Sequence, residues 1–146
     1  MRQLLAVGLV CLFCSAAVAA PDPDDWYQKQ YAPLWNDKPW ENLEAIVDNY
    51  ADTVVDHPGD PKGSSAREWL AAGMKSWRAE GWLSSKVVGY KSDHVNGSMS
   101  IFKVKWRDAY EGGSEEDACG WYLADLRDDR WQFTHYADID CRAHGL

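Results

Sequence analysis

Four runs between Leu83 and Asp140 decide the fold: LSSKVVGYKS (Leu83–Ser92), SMSIFKVKWRD (Ser98–Asp108), ACGWYLADL (Ala118–Leu126) and WQFTHYADID (Trp131–Asp140). Each carries aromatic residues, three of the four also carry β-branched ones, and turn-forming residues divide each from the next, so the four read as consecutive strands of an antiparallel meander. Asn96-Gly97 is a strong hairpin signal, Gly112-Gly113 marks a looser connection, and Asp128-Asp129 closes the last pair. In the second run the apolar parity changes from Met99 and Ile101 to Phe102, Val104 and Trp106, which predicts a β-bulge there and hence a bent sheet. All 6 prolines precede residue 62, so none blocks pairing in this half.

Upstream, the period changes from two to 3.6. Tyr27, Tyr31, Leu34 and Trp35 recur at helical spacing between Asp24 and Trp35, with Pro33 placed to split that helix. A second helix opens on Pro39 and Glu41 and carries Leu43, Ile46, Val47 and Tyr50 along one face. Thr53-Val54-Val55-Asp56 is a short β-prone run, closed by the turn residues His57-Pro58-Gly59-Asp60-Pro61-Lys62-Gly63. Ser65 and Glu68 form a capping box for a third helix, which has Leu70, Met74 and Trp77 on one face and stops at Gly81. Three N-terminal helices ahead of a strongly curved antiparallel sheet make an α+β domain in which the helices cover one sheet face. No repeat, low-complexity stretch or linker divides residues 21–146, which read as a single domain.

Residues 1–20 read as a cleaved secretory signal: Arg2, an apolar run from Leu4 to Phe13, then Ser15-Ala16-Ala17-Val18-Ala19-Ala20 with small residues at the cleavage spacing. The apolar run is shorter than the ~20 residues a bilayer core needs. Neither Cys11 nor Cys14 follows the small residues of a lipoprotein signal, so no stable membrane anchor is expected after removal and the protein is placed in the periplasm or outside the cell. Of the 4 cysteines, Cys119 and Cys141 remain. In an oxidising compartment they read as a disulfide, against two buried thiols or a metal pair, since no C-x-x-C spacing is present.

With 15 basic against 23 acidic residues the net charge is −8, and no basic stripe offsets it, which argues against nucleic acid and anionic membrane surfaces as partners. Glu115-Glu116-Asp117 with Asp138 and Asp140 lack the spacing of a calcium loop and read as a solvated rim, so no metal is expected. Serine-nucleophile motifs and phosphate-cradling glycine loops are missing from the sequence, and no cofactor is implied.

Leu43-Glu44-Ala45-Ile46-Val47-Asp48-Asn49-Tyr50-Ala51-Asp52, then Val54-Val55-Asp56-His57-Pro58-Gly59, then Arg130-Trp131-Gln132-Phe133 after a hairpin, resemble the nuclear transport factor 2-like superfamily, which includes SnoaL-like polyketide cyclases and ketosteroid isomerases. The resemblance implies a cone, a bent sheet closed by helices around a pocket open at one end, holding an apolar small molecule in many members. It also implies a homodimer through the outer sheet face. In the isomerase branch a carboxylate just before a strand proline is the general base, and a tyrosine with a protonated acid forms the oxyanion hole. Matching Pro58 to that proline puts His57 at the base position and Asp56 one residue earlier. The oxyanion tyrosine falls near Leu34, with Tyr31 one turn away, and its acid near Trp121; neither matches, so the isomerase activity does not carry over.

Candidates for chemistry follow. His57 is a general base tuned by Asp56, or a loop histidine beside Pro58. With Arg127–Arg130 as the last hairpin loop, Tyr122 lies opposite His135 and Ala124 opposite Phe133; a Tyr–His pair in the apolar stripe of Trp131 and Phe133 either binds a ligand or satisfies itself. The same register puts Cys119 opposite Asp138 and facing away from Cys141, so a bridge requires a bulge, a shifted register or fraying. Most of the 9 tryptophans read as core, with Trp82, Trp106 and Trp121 beside Phe133 as pocket candidates. Three functions stay open: binding of a small apolar molecule, a cofactor-independent isomerase, cyclase or hydratase using His57, Asp56, His135, Tyr122 and Tyr31, and a dimeric interaction module.

Overall fold

In a computed structural model, which describes residues 21–56 and 62–146, the four β-rich runs form β3 (Trp82–Asn96), β4 (Met99–Tyr110), β5 (Glu115–Arg127) and β6 (Arg130–Asp138), paired antiparallel in sequence order. Residues 1–20, read from sequence as a secretory signal, and His57-Pro58-Gly59-Asp60-Pro61 lie outside the described residues. Two further strands extend the meander: β1 (Tyr50–Val55) runs parallel to β6, and β2 (Ser64–Ser65) pairs antiparallel with β1. The sheet order is β2-β1-β6-β5-β4-β3, leaving β3 as an edge.

Tyr50 starts a strand rather than ending a helical face. The helix before it, α2 (Leu43–Val47), stops early, because the Asn49 amide donates to Ala45 O (2.7 Å) at its C-terminus and Phe133 N then donates to Asn49 O (2.9 Å), which commits the chain to the sheet. The first helical segment is split as Pro33 requires, into α1 (Pro23–Trp26), a π-helical turn (Tyr27–Tyr31) and a 3₁₀ turn (Ala32–Trp35). The third helix, α3 (Ala66–Ala79), begins where Ser65 Oγ accepts from Glu68 N (3.4 Å) and ends before Gly81, whose φ of +90° suits glycine.

The curvature has a different source from the one the apolar parity of β4 suggests. β4 pairs with β5 in unbroken register from Met99↔Asp125 to Ala109↔Glu115, so it carries no bulge against that neighbour. Ser100 completes the concave stripe of Phe102, Val104 and Trp106, all buried, while Met99 and Ile101 lie half-buried on the outer face. The register slips fall instead on β3, at Leu83, Val88 and Val95, and on β6, at Thr134. Each extra residue of β3 is turned outward, leaving Leu83, Val88 and Val95 exposed by 39, 45 and 51%. The last hairpin is as read: Arg127 pairs with Arg130, and Asp128 (φ 48°) and Asp129 (φ 59°) take the left-handed conformations of a type I′ turn. At the first hairpin the loop is Gly97-Ser98, with Asn96 Oδ1 accepting from Ser98 N (2.8 Å).

Thr134 also resolves the cysteine problem. Before the slip Ala124 pairs with Phe133, as expected; after it Tyr122 pairs with Tyr136 and Gly120 with Asp138. Ile139 N then donates to Cys119 O (3.0 Å), and Cys119 and Cys141 form a disulfide with Cα atoms 5.4 Å apart. On the concave side, Trp26, Tyr27 and Tyr31 pack against Phe102 and Phe133 and plug part of the cone with aromatic rings. Among the described residues no helix is long and apolar enough to cross a membrane.

Candidate functional site

The plug ends at Trp35. Beyond it, between α3 and the concave face of β3–β6, lies a cavity of about 170 Å³. Small residues create it: along the concave face of β5 stand Ala118 and Gly120. A Cβ on Gly120 would meet Cε2 of Tyr122 at 2.8 Å and Cε2 of Tyr136 at 2.9 Å, so glycine here lets both rings lie along the wall. The floor is buried, whereas Trp77 (38% exposed), Ala118 and Asp138 reach solvent and form the mouth.

The wall is a chain of aromatic contacts. Trp77 meets Trp82 at 5.4 Å between ring centroids, Trp82 meets Trp35 at 6.3 Å, and Trp35 meets Trp106 at 5.9 Å. Trp106 Nε1 donates to Tyr122 Oη (3.0 Å), and from there the rings continue through Tyr136 (5.1 Å), Trp69 (5.3 Å) and Tyr50 (5.9 Å). α3 closes the wall because Trp69 and Trp77, eight residues apart, share one face.

Two carboxylates enter this wall, each held by a hydroxyl. Asp108 is opposite Ser85 in the β3–β4 register, and Ser85 Oγ donates to its Oδ1 while accepting from Trp82 Nε1 (3.1 Å). Burial pushes the Asp108 carboxyl above its ordinary range; the Ser85 hydrogen bond opposes this, and the negative charges of Glu116 and Asp117 add to it. On β6 the Tyr136 hydroxyl donates to Asp138 Oδ1. Burial raises the tyrosines Tyr122 and Tyr136 well above the ordinary phenol range, which keeps both hydroxyls protonated at neutral pH.

Of the residues singled out from sequence, Trp82, Trp106 and Tyr122 line the cavity. His135 does not: the Thr134 slip turns it to the outer face opposite Leu123, where its Nδ1 is 3.0 Å from Thr134 Oγ1, and Tyr136 takes the place expected of it. Trp121 alternates with Tyr122 and pairs with Lys103 and Ala137 on the outer face. Phe133 is fully buried beneath the plug rather than facing the cavity. Tyr31 belongs to the plug, its Oη 2.6 Å from Tyr50 Oη, one layer behind the wall. Asp56, just past β1, is not a lining residue, and His57 lies outside the described residues. Sequence reasoning missed Asp108, Asp138, Tyr136 and Ser85. Asp108 was accessible to it, since it stands two residues after Trp106 in the concave stripe, but Asp138 enters the site only through the slip at Thr134.

No family model and no curated protein matches the chain. Solved structures do. A nuclear transport factor 2-like protein of unknown function from Shewanella oneidensis MR-1 superposes with a TM-score of 0.58 at 19% identity, covering 80% of this chain and 98% of that one. A candidate ketosteroid isomerase from Shewanella frigidimarina NCIMB 400 gives 0.55 at 16% identity, over 76 and 89% of the two chains. A candidate polyketide cyclase from Xanthomonas campestris pv. campestris gives 0.52 at 16%, over 79 and 88%. At these identities the likeness is one of fold: the chain adopts the nuclear transport factor 2-like cone.

Proposed function

We propose that this chain, exported with removal of residues 1–20, is a small-molecule-binding domain whose ligand occupies the aromatic cavity. The observation that carries the reading is the open space itself: the tryptophans and tyrosines of the wall are arranged around a void that the plug leaves unfilled. A concave, mainly apolar surface with a few convergent polar groups is the usual form of a ligand site. The fold is one that candidate cyclases and isomerases share. Native mass spectrometry of protein isolated from its own compartment tests the reading. A retained small molecule that disappears in Ala118→Trp, where an indole closes the mouth, is the expected result; retention in a well-folded Ala118→Trp protein would overturn it.

Asp108 favours a second reading, proton transfer on the bound molecule. Its carboxyl is drawn towards neutrality by burial, and its orientation is fixed by Ser85, as a general base requires. That reading predicts turnover of a bound compound carrying an acidic C–H, lost in Asp108→Asn.

A further inference from the structure

Resting on the cavity as a ligand site, we infer that its ligand is a compact organic cation, a methylated ammonium group held between indole and phenol faces and neutralised by Asp108 and Asp138. Three features of the lining point the same way. The first is its charge: Asp108 and Asp138 line the cavity, whereas no Lys, Arg or His does. Neither carboxylate has a basic partner among the described residues. Lys105 and Arg107, the nearest cations of β4, alternate to the outer face, where both pair with Asp117. For the part-buried Asp108 the lack of a counter-ion is unfavourable, and a cation in the cavity removes that cost, with the exposed Asp138 adding negative charge at the mouth.

The second feature is the inventory of donors and acceptors. Ser85 donates to Asp108, Tyr136 to Asp138, Trp82 to Ser85 and Trp106 to Tyr122, so these four donors of the wall are committed to the protein, while Trp35 Nε1 is buried without a partner among the described residues. Carboxylate oxygens and the negative faces of the rings remain for a ligand. The carboxylates repel anions, and together with the ring faces they attract a cation whose charge is spread over methyl groups. The third feature is size. A space of about 170 Å³ resembles the ~150 Å³ cavity that takes up one benzene ring, which suits a trimethylammonium head.

The test compares choline and tetramethylammonium with 3,3-dimethyl-1-butanol, the alcohol in which carbon replaces the choline nitrogen, by tryptophan fluorescence and calorimetry on the wild-type protein. The cations are expected to bind at least about tenfold more tightly than the alcohol, with the preference abolished in Asp108→Asn/Asp138→Asn. Because the isosteres are compared on the unaltered protein, the outcome does not depend on how the double variant folds. Equal or tighter binding of the alcohol overturns the cation inference and leaves the small-molecule reading standing. No saturable response to the cations also overturns the inference, while the retained-ligand measurement decides the broader reading separately. A cation response that persists in Ala118→Trp overturns both.

Discussion

Asp108 stands where stability and binding pull in opposite directions. Its folded pKa lies above its unfolded one, so the folded state binds the proton more tightly. The stability this contributes is fully present below the ordinary carboxylate range and is lost as pH rises through the folded value. Above that value the ionised group costs stability that Asp108→Asn recovers. The variant should melt higher than wild type at neutral pH, with the gap closing on acidification; thermal melts across pH read this directly, and a lower melting temperature at neutral pH would contradict it. Gly120 makes a complementary case. A methyl group there lies under 3 Å from both the Tyr122 and Tyr136 rings, so Gly120→Ala should cost about 1–3 kcal/mol in denaturant unfolding and narrow the cavity. Tyr31 sits in the plug rather than the site: Tyr31→Phe, which breaks its buried hydroxyl contact with Tyr50, should cost about 1 kcal/mol and leave ligand affinity unchanged.

At the level of elements, one inserted residue in β6 organises the site. Had β6 kept the register of its hairpin, His135 would face the concave side and Cys119 would point away from Cys141. Thr134 shifts the pairing by one, which brings Tyr136 and Asp138 to the cavity and lets the disulfide close just beyond the strand. Much of the element list is legible in the sequence: the capping box of α3, the split at Pro33, the Asp128-Asp129 turn and four strands in order all rest on local chemistry. The slip is not, because Trp131, Phe133, His135 and Ala137 satisfy a period of two as well as the observed pattern does. Sequence separation across the disulfide is 22 residues, and closing a loop of that size is worth about 3 kcal/mol. Replacing both cysteines with serine should lower unfolding stability by that amount and weaken ligand binding, as the end of β6 that carries Asp138 loses its tether. Unchanged binding in a destabilised double variant would separate the disulfide from the site.

For the whole molecule, the cone is filled at one part by Trp26, Tyr27 and Tyr31 and left open at the other. Export predicts that the mature protein starts at Pro21; N-terminal sequencing of protein from intact cells checks this, and a retained leader would contradict it. The chain's own residues determined the α+β class, the order of the helices and of the four long strands, and the acidic balance, because periodicity, capping and turn chemistry act over a few residues at a time. Only the tertiary structure decided which aromatic rings plug the cone, which line a void, and which carboxylates face it. Those choices depend on register accumulated along paired strands and on side-chain volumes brought together from distant segments, and a single slip at Thr134 re-aims every side chain after it.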